Sequence, residues 1–345
     1  MVGWRVCWVW VALVGAIGAE ARAAAAPATR PAGPPWRAVA MQLHRVDWQA
    51  KYKKGIERIA ATGADAVLFV VDCQAEHQGS TRLYLDRRRT PARDQLNDLI
   101  QHARDYGLRV MLMPIVTLDR AKPGEWRGTY RPPSWEDWFD SYRGVLRHFA
   151  YSAAEMKVDV FFVGSELSYM EHRTEDWRKT IAVVREIYKG KLAYSANWDH
   201  YEAVTFWDQL DFVAMNSYWK LGDDHEVTDE QIADAWRRIQ GEVLAYCRKQ
   251  GKPLLLTEVG WCSKRDAASE PWQYDFTGAK LDMDLQRRLY EGFFKAWHGR
   301  PELAGFAIWA YAEESGPEDK GYTPWGKPAM RVLREWLAKP RWEVR

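Results

Sequence analysis

Two glutamates stand at the ends of apolar runs and are the first candidates for chemistry. Glu166 follows Val-Asp-Val-Phe-Phe-Val-Gly-Ser, and Glu258 follows Lys-Pro-Leu-Leu-Leu-Thr. A carboxylate that closes a buried run is costly unless it faces a polar cavity. One such Glu is more often an exposed charge or an ion-pair partner. Two of them, each near aromatic residues, favour a paired functional role.

A pair of carboxyl groups is what the cleavage of a glycosidic bond requires. One protonates the leaving oxygen, and the other attacks the anomeric carbon or activates a water molecule. A separation of about 5–5.5 Å gives a covalent intermediate and retention of configuration, whereas about 6.5–9.5 Å leaves room for water and gives inversion. The residues alone leave both outcomes open, because this separation is a property of the fold.

The segments that must position these residues alternate between short apolar runs and amphipathic helical stretches. Near-continuous apolar runs are typical of strands that are covered on both faces. The predicted strands span residues 37–43, 66–71, 109–116, 158–163, 192–196, 212–216, 254–258 and 305–309. The predicted helices span residues 48–62, 91–106, 135–156, 175–188, 229–250, 282–297 and 328–337, and residues 201–209 leave room for only a short helix.

Eight β–α units in the roughly 310 residues after residue 35 predict a single-domain (β/α)8 barrel, a TIM barrel, over residues 36–345. A doubly wound open sheet is the alternative, but such a sheet usually carries a glycine-rich turn after its first strand. The corresponding residues here are His44-Arg45-Val46-Asp47. In a barrel, the active site lies at the carboxyl ends of the strands.

Those strand ends place polar and aromatic side chains around the two glutamates. They are His44, Asp72, Ser165, Asn197, Trp198, Asn216, Tyr218, Trp219, Trp261 and Trp309. His44 and Asp72 either bind sugar hydroxyls or satisfy hydrogen bonds at the barrel mouth. Trp198, Trp219 and Trp261, with Trp272 beyond them, either stack on sugar rings or pack within loops.

Other residues of these types are assigned to the scaffold. Four tryptophans lie on predicted helices at core-like spacing and are expected in the core. They are Trp48, Trp177, Trp236 and Trp297. Glu313 and Glu314 are expected in a solvated loop.

Four segments of the sequence resemble a known family. They are Val163-Gly164-Ser165-Glu166-Leu167, Asn216-Ser217-Tyr218-Trp219, Thr257-Glu258-Val259-Gly260-Trp261 and Ile308-Trp309. With a Glu at the ends of strands four and seven, they are similar to clan A of the glycoside hydrolases, and within it to family 113, which degrades mannan. The resemblance covers about residues 36–337.

The resemblance implies an endo-β-1,4-mannanase-like enzyme that acts on mannan or manno-oligosaccharides by double displacement, with retention. Glu166 would be the general acid/base and Glu258 the nucleophile. Tyr218 would donate a hydrogen bond to the nucleophile, and Trp309 would form the floor of the −1 sugar site.

One position departs from the clan pattern. Many members carry Asn immediately before the acid/base, where it contacts the sugar 2-hydroxyl, and Ser165 stands there in this sequence. Its shorter side chain leaves that contact to Asn197 or Asn216. We also expect Glu258 to be ionised at rest, with its charge keeping Glu166 protonated.

Three other functions are compatible with parts of the pattern. A retaining β-glycosidase of the same clan could act on another β-glycan, such as a glucan. A non-catalytic carbohydrate-binding barrel is disfavoured, because a binder has no need of both acids. A metal-dependent barrel hydrolase would carry an HxH pair on the first strand, where Gln42-Leu43-His44 stands. We therefore expect a polysaccharide or oligosaccharide partner, no cofactor and no metal.

Composition narrows the class of partner further. Lys and Arg number 49 and Asp and Glu number 47. This near-neutral balance does not predict the basic surface that a nucleic-acid partner usually needs. The 20 tryptophans provide rings suited to stacking on sugars. Cys73, Cys247 and Cys262 are expected to be packing residues or to include one incidental pair.

The N-terminus has the pattern of an exported protein. Arg5 precedes 14 uncharged residues, 6–19, and small residues follow up to Ala26. Residues 1–26 are therefore predicted to be a secretory signal peptide. The apolar run is short for a membrane span of about 20 residues, although an uncleaved anchor is the alternative. Residues 27–35 are predicted to be a flexible leader. The expected location is secreted or periplasmic, with no membrane contact after cleavage.

Overall fold

The computed structural model describes residues 33–312, 316 and 318–344. Eight strands in this part of the chain form a parallel barrel. They are β1 (Trp36–Leu43), β2 (Ala66–Ala75), β4 (Arg109–Leu118), β5 (Val160–Ser165), β6 (Lys191–Ser195), β7 (Val213–Asn216), β8 (Leu254–Val259) and β9 (Leu303–Ile308). A short strand, β3 (Leu83–Tyr84), pairs antiparallel with the end of β2.

The strand order confirms the predicted (β/α)8 barrel. The strands pair in the order β6-β5-β4-β2-β1-β9-β8-β7. The two ends of this order meet at Ala196, whose N–H donates to the Ala214 carbonyl (3.0 Å) and whose carbonyl accepts from the Asn216 N–H (3.1 Å). The barrel is nearly closed as a result, and all carboxyl ends of its strands face one mouth.

Seven α-helices in the described part of the chain surround the strands. The first and last residues of each predicted helix lie within two positions of the observed bounds. They are α1 (Gln49–Ala60), α2 (Arg93–Asp105), α3 (Trp135–Glu155), α4 (Thr174–Ile187), α5 (Asp229–Gln250), α6 (Met283–Trp297) and α7 (Ala329–Leu337). Between β6 and β7 the helix is reduced to two 3-10 turns, Tyr201–Ala203 and Trp207–Gln209. A capping box begins α5, because Thr228 and Gln231 satisfy each other's backbone N–H groups.

The core has two layers, one on each side of the barrel wall. Inside the barrel, alternate strand residues pack on one another, and many are small. Examples are Ala38, Ala40, Ala193, Ala214 and Ala307. Outside, the opposite strand faces pack against the helices. The predicted core positions Trp177, Trp236 and Trp297 are fully buried there. Trp48 is only half-buried, because it ends a 3-10 turn at the rim.

The last residues of the predicted leader, 33–35, accept hydrogen bonds from arginines of the folded body. Arg341 donates to the carbonyls of Gly33 (2.8 Å) and Pro35 (3.0 Å), and Arg109 also donates to the Pro35 carbonyl (2.6 Å). Residues 33–35 are therefore held against the base of the barrel. The predicted signal peptide, the rest of the leader, and Glu313 and Glu314 lie outside the described residues.

Two further sequence questions concern the described part of the chain. Cys73, Cys247 and Cys262 are buried free thiols, so they are packing residues and the alternative of a disulfide among them is not formed. Across residues 33–344, with the gaps given above, no helix combines the length and apolar character needed to cross a membrane.

Buried charges tie together the strands at the base of the barrel. Asp65 accepts hydrogen bonds from the backbone N–H (3.0 Å) and Nε (2.9 Å) of Arg37. It also pairs with Arg109, whose side chain is only 1% exposed. One carboxylate thus connects the starts of β1, β2 and β4, and it balances a guanidinium that is removed from water.

Replacing Asp65 with Ala should destabilise the protein by about 3–5 kcal/mol, because it leaves the Arg109 charge buried without its partner. The measurement is equilibrium unfolding in denaturant. Asp47→Ala is the matched control, since it removes the carboxylate of the exposed Arg45–Asp47 pair and should change stability little. Equal losses in the two variants would contradict the assignment.

Candidate active site

Glu166 directly follows Ser165, the last residue of β5, which is the fourth barrel strand. The residue lies at the mouth and is 8% exposed. Its backbone has φ of 53°, in the left-handed region, and its N–H donates to the Ser195 carbonyl on the neighbouring strand (2.8 Å). This unusual backbone turns the carboxyl away from the strand direction and over the barrel.

Glu258 lies within β8, the seventh barrel strand, and is also almost completely buried. The Tyr218 hydroxyl donates to its Oε2 at 2.8 Å. Ser217 secures its backbone, donating to the Glu258 carbonyl from both its N–H (2.9 Å) and its Oγ (2.8 Å). The predicted hydrogen bond between Tyr218 and Glu258 is therefore present.

Asn216 brings the two glutamates together. Its backbone pairs with Glu258 in the sheet, while its side-chain Nδ2 donates to Glu166 Oε1. The same Nδ2 lies 2.9 Å from Asn197 Oδ1, and Asn216 Oδ1 accepts from the Trp198 N–H at 2.7 Å. Two glutamates that are 92 positions apart in sequence are thus connected through one fully buried asparagine.

Arg127 also contacts the glutamate pair, and it is not among the site residues predicted from the sequence. It lies in the loop between β4 and α3, and its Nε donates to the Val116 carbonyl (3.1 Å). Its Nη1 lies 2.5 Å from Glu166 Oε2. Arg127 is not at a strand end, and no sequence signal shows that a loop arginine folds back over the mouth.

The site therefore holds two buried carboxyl groups, one tyrosine hydroxyl, one guanidinium and an aromatic residue, Trp309, at the end of β9. Such a set can donate a proton to a leaving oxygen and attack an acetal carbon. The sequence matches Glycoside Hydrolase Family 113 over residues 39–327. The chain belongs to glycoside hydrolase family 113. The family resemblance predicted from the strand ends is confirmed.

Solved structures of glycoside hydrolases share this fold. The family 113 β-mannanase AaManA from Alicyclobacillus acidocaldarius, solved in complex with ManMIm, is 26% identical to this chain, with a TM-score of 0.79 over 89% of this chain and 97% of that one. A complex of a family 113 β-1,4-mannanase is 23% identical, with a TM-score of 0.77 over 89% and 99%.

A more distant relative is a GH5_18 protein from Streptomyces cattleya in complex with GlcNAc. It is 14% identical, with a TM-score of 0.62 over 90% of this chain and 83% of that one. At this identity the likeness shows the fold alone. No curated protein matches the sequence significantly.

The electrostatics of this glycosidase differ from the expectation for its carboxyl pair. Burial, and next the charge of Glu166, raise the pKa of Glu258 to about 8, against the opposing effects of the Tyr218 hydrogen bond and Arg127. Arg127 pairs directly with Glu166, whereas the Tyr218 hydroxyl binds Glu258. The raised pKa of Glu258 is opposite in direction to the expectation that this residue is ionised at rest, and that expectation stays a prediction.

Trp309 is placed by a close approach between two strand ends. Its N–H donates to the Val259 carbonyl at 2.8 Å. A Cβ at Gly260 would lie 2.3 Å from the Trp309 carbonyl oxygen, so only glycine fits at that position. The ring is half-buried and packs on the inner barrel core, as a floor of the mouth would.

The predicted tryptophan platforms separate into two groups. Trp261 is fully buried against Trp236 and Tyr290, so its assignment to substrate binding is wrong. Trp261 lies two residues beyond the end of β8, and its ring is turned towards helices α5 and α6. Trp198 is half-buried and stacks on Trp272, with ring centroids 5.7 Å apart and planes at 19°.

Trp219 lies between these two cases. It is buried edge-on against Trp236 and Trp198, and it borders a surface groove beside Trp198. Trp272 is 43% exposed and provides the accessible face of this cluster.

The polar residues of the first two strands play different parts. Asp72 is buried and its carboxylate pairs with Arg89 at 3.2 Å. Of its two predicted roles, sugar binding or hydrogen bonding at the barrel mouth, this contact fits the second. Burial raises its pKa, against the opposing charge of Arg89. His44 is exposed and lines a cavity at the rim with Gln42 and Tyr311, where a ligand could reach it.

The candidates for the sugar 2-hydroxyl are also distinguished. Asn216 is completely buried and uses its amide for Glu166, Asn197 and Trp198. Asn197 is half-buried, and its Oδ1 accepts a hydrogen bond from Asn216. Its Nδ2 can therefore donate a hydrogen bond to a ligand. Ser165 is buried, and its Oγ has no hydrogen-bond partner within the described residues. The same part of the chain contains no group of three or more His, Cys, Asp or Glu suited to a metal ion.

Proposed function

We propose that this family 113 glycosidase is a retaining endo-β-1,4-mannanase acting on β-1,4-mannan and manno-oligosaccharides. The observation that carries the proposal is that Asn216 connects the two glutamates, Glu166 through its side chain and Glu258 through its backbone pairing, with Tyr218 bound to Glu258. The solved family 113 relatives described as β-mannanases support the choice of substrate.

Each carboxyl has a distinct part in the proposed reaction. Glu258 attacks the anomeric carbon and forms a glycosyl ester, while the Tyr218 hydroxyl orients the attacking carboxylate. Glu166 gives its proton to the leaving glycosidic oxygen. Glu166 then removes a proton from water, which attacks the anomeric carbon and releases Glu258.

Arg127 must give way before the first step. In the free protein, its guanidinium pairs with Glu166 Oε2, and a proton donor needs a carboxyl oxygen that faces the leaving group. In the proposed reaction, the bound sugar displaces this guanidinium, Glu166 is the proton donor and Glu258 is the ionised nucleophile.

Aromatic residues beyond the pair support an endo-acting enzyme with an open cleft. Trp272 and Trp198 stack on one part of the rim, and Trp126, 37% exposed, lies beside Arg127 on the β4–α3 loop. Exposed rings on separate loops suit a chain that continues past the cleaved bond. Asn197 is the group proposed to contact the 2-hydroxyl that distinguishes mannose from glucose.

We also propose export. The charge and apolar pattern of residues 1–26 supports a cleaved signal peptide and a secreted or periplasmic enzyme. N-terminal sequencing of the mature protein tests this directly, with a new terminus near residue 26 expected.

Activity should fall as the pH rises through about 8, because the pKa of Glu258 is raised to that value. Below it, the pair keeps one proton for the leaving oxygen, and above it both carboxyls are ionised. The measurement is the pH dependence of kcat/KM, which reports the free enzyme. As a control, Glu166→Gln assayed on an activated dinitrophenyl glycoside should lack this alkaline decline. A wild-type profile that stays flat into alkaline pH would contradict the prediction.

Substitution of the two glutamates should give different phenotypes. Glu258→Gln should abolish turnover with the fold intact, because no nucleophile remains. Glu166→Ala should lower kcat/KM on unactivated substrates by about 10²- to 10⁴-fold. Added azide should restore its cleavage of a dinitrophenyl glycoside and yield the β-azide. Circular dichroism checks the fold of both variants, and full activity of Glu258→Gln would remove its assignment.

The substrate is tested by product profiles on mannan, glucan and xylan oligosaccharides, with NMR of the anomeric protons at early times. We expect internal cleavage of mannan and initial release of the β-anomer. Initial appearance of the α-anomer would refute retention. Cleavage of glucan without cleavage of mannan would establish the other β-glycan activity instead.

A further inference from the structure

The backbone of Glu166 is held in a conformation that a residue with a side chain rarely adopts. A left-handed φ outside glycine is energetically costly, so surrounding contacts must maintain it. Among the described residues, only Lys157 shares this feature. Two hydrogen bonds flank the strained position: Glu166 N–H to the Ser195 carbonyl and Leu167 N–H to the Tyr194 hydroxyl, both at 2.8 Å.

The second of these bonds begins a buried chain of polar groups. Because the Tyr194 oxygen accepts from Leu167, its own hydrogen is directed elsewhere, and Glu171 Oε1 lies 2.7 Å away. Glu171 is completely buried, and its Oε2 lies 2.6 Å from Nδ1 of His200. The chain runs from the partly exposed His200 through Glu171 and Tyr194 to the backbone beside Glu166.

We propose that Tyr194 and Glu171 are positioning residues that hold Glu166 in its proton-donating orientation. This inference rests on the proposed role of Glu166 as the acid/base. Glu171 orients the Tyr194 hydroxyl, and that hydroxyl fixes the Leu167 amide, which prevents the peptide after Glu166 from relaxing out of its left-handed turn.

Packing alone does not account for these polar groups. The Tyr194 ring contacts Trp177 and Phe206, with centroids 5.2 and 5.3 Å away, and a phenylalanine would make the same contacts. A buried carboxylate is costly, and Glu171 is compensated by its two partners rather than by any apolar contact. What the hydroxyl and carboxylate add is a directed hydrogen bond at the acid/base turn.

The test uses Tyr194→Phe, which removes only the hydroxyl oxygen and its hydrogen bonds. A small displacement of Glu166 should impair proton donation, which matters for a poor leaving group and not for a good one. We expect kcat/KM to fall about 10- to 100-fold on an unactivated oligosaccharide and to change little on a dinitrophenyl glycoside. The two substrates carry the glycone of whichever β-glycan the wild-type enzyme cleaves.

Tyr188→Phe is the matched control. Tyr188 is also a buried tyrosine, and its hydroxyl donates to the Val158 carbonyl at 2.7 Å, just before the opposite end of β5. This variant should lose similar thermal stability and keep wild-type kcat/KM on both substrates. A selective loss in Tyr188→Phe, equal losses on both substrates in Tyr194→Phe, or no loss there would each overturn the proposal.

Glu171 provides an independent measurement should Tyr194→Phe fail to fold. Glu171→Ala removes the acceptor for the Tyr194 hydroxyl and should show the same selective loss. Glu171→Gln keeps an acceptor oxygen and should recover most of the activity on the oligosaccharide. Equal impairment of the Ala and Gln variants would contradict positioning through this hydrogen bond.

Glu166→Ala, assayed in parallel, separates this inference from the proposed function. If Glu166→Ala lowers kcat/KM equally on both substrates, the acid/base assignment itself fails. If it shows the selective loss and Tyr194→Phe does not, only the positioning role fails.

Discussion

Two buried carboxyl groups that face each other repel when both are ionised, and the mouth of this barrel is organised around that repulsion. The Tyr218 hydroxyl binds Glu258, and the Asn216 amide and the Arg127 guanidinium bind Glu166, so each carboxyl has donors that offset the repulsion. Asn216 and Tyr218 come from the end of β7, and Arg127 comes from the loop after β4. The arrangement is stable only if the surrounding elements keep all of them in place, which makes the barrel a requirement of the chemistry.

The scaffold meets that requirement at both of its ends. At the base, Asp65 and its arginines connect the first strands, and apolar layers fill the barrel above them. At the mouth, the apolar filling ends and polar groups begin. Glu166 and Glu258 lie at this boundary, where burial is deep enough to perturb a carboxyl and a ligand can still enter.

Much of this was predictable from local patterns. The strands and helices follow from apolar periodicity, and all seven helices lie close to their predicted bounds. Glu166, Glu258 and Tyr218 were found because they directly follow or end apolar runs, and the barrel gathers all such ends at one mouth. Trp261 satisfied the same rule and is nevertheless core, because being at a strand end does not fix the direction of a side chain.

Other features depend on contacts that no local pattern encodes. Arg127 reaches Glu166 from a loop, and Glu171 and Tyr194 are joined only when the turn after β5 packs against β6. The amino-acid sequence by itself determined the barrel, its register of apolar strands and the identity of the two acids, since these follow from periodicity along the chain. Only the tertiary structure decided that Arg127 pairs with Glu166 and what raises the pKa of Glu258, because charge interactions depend on distances between segments remote in sequence.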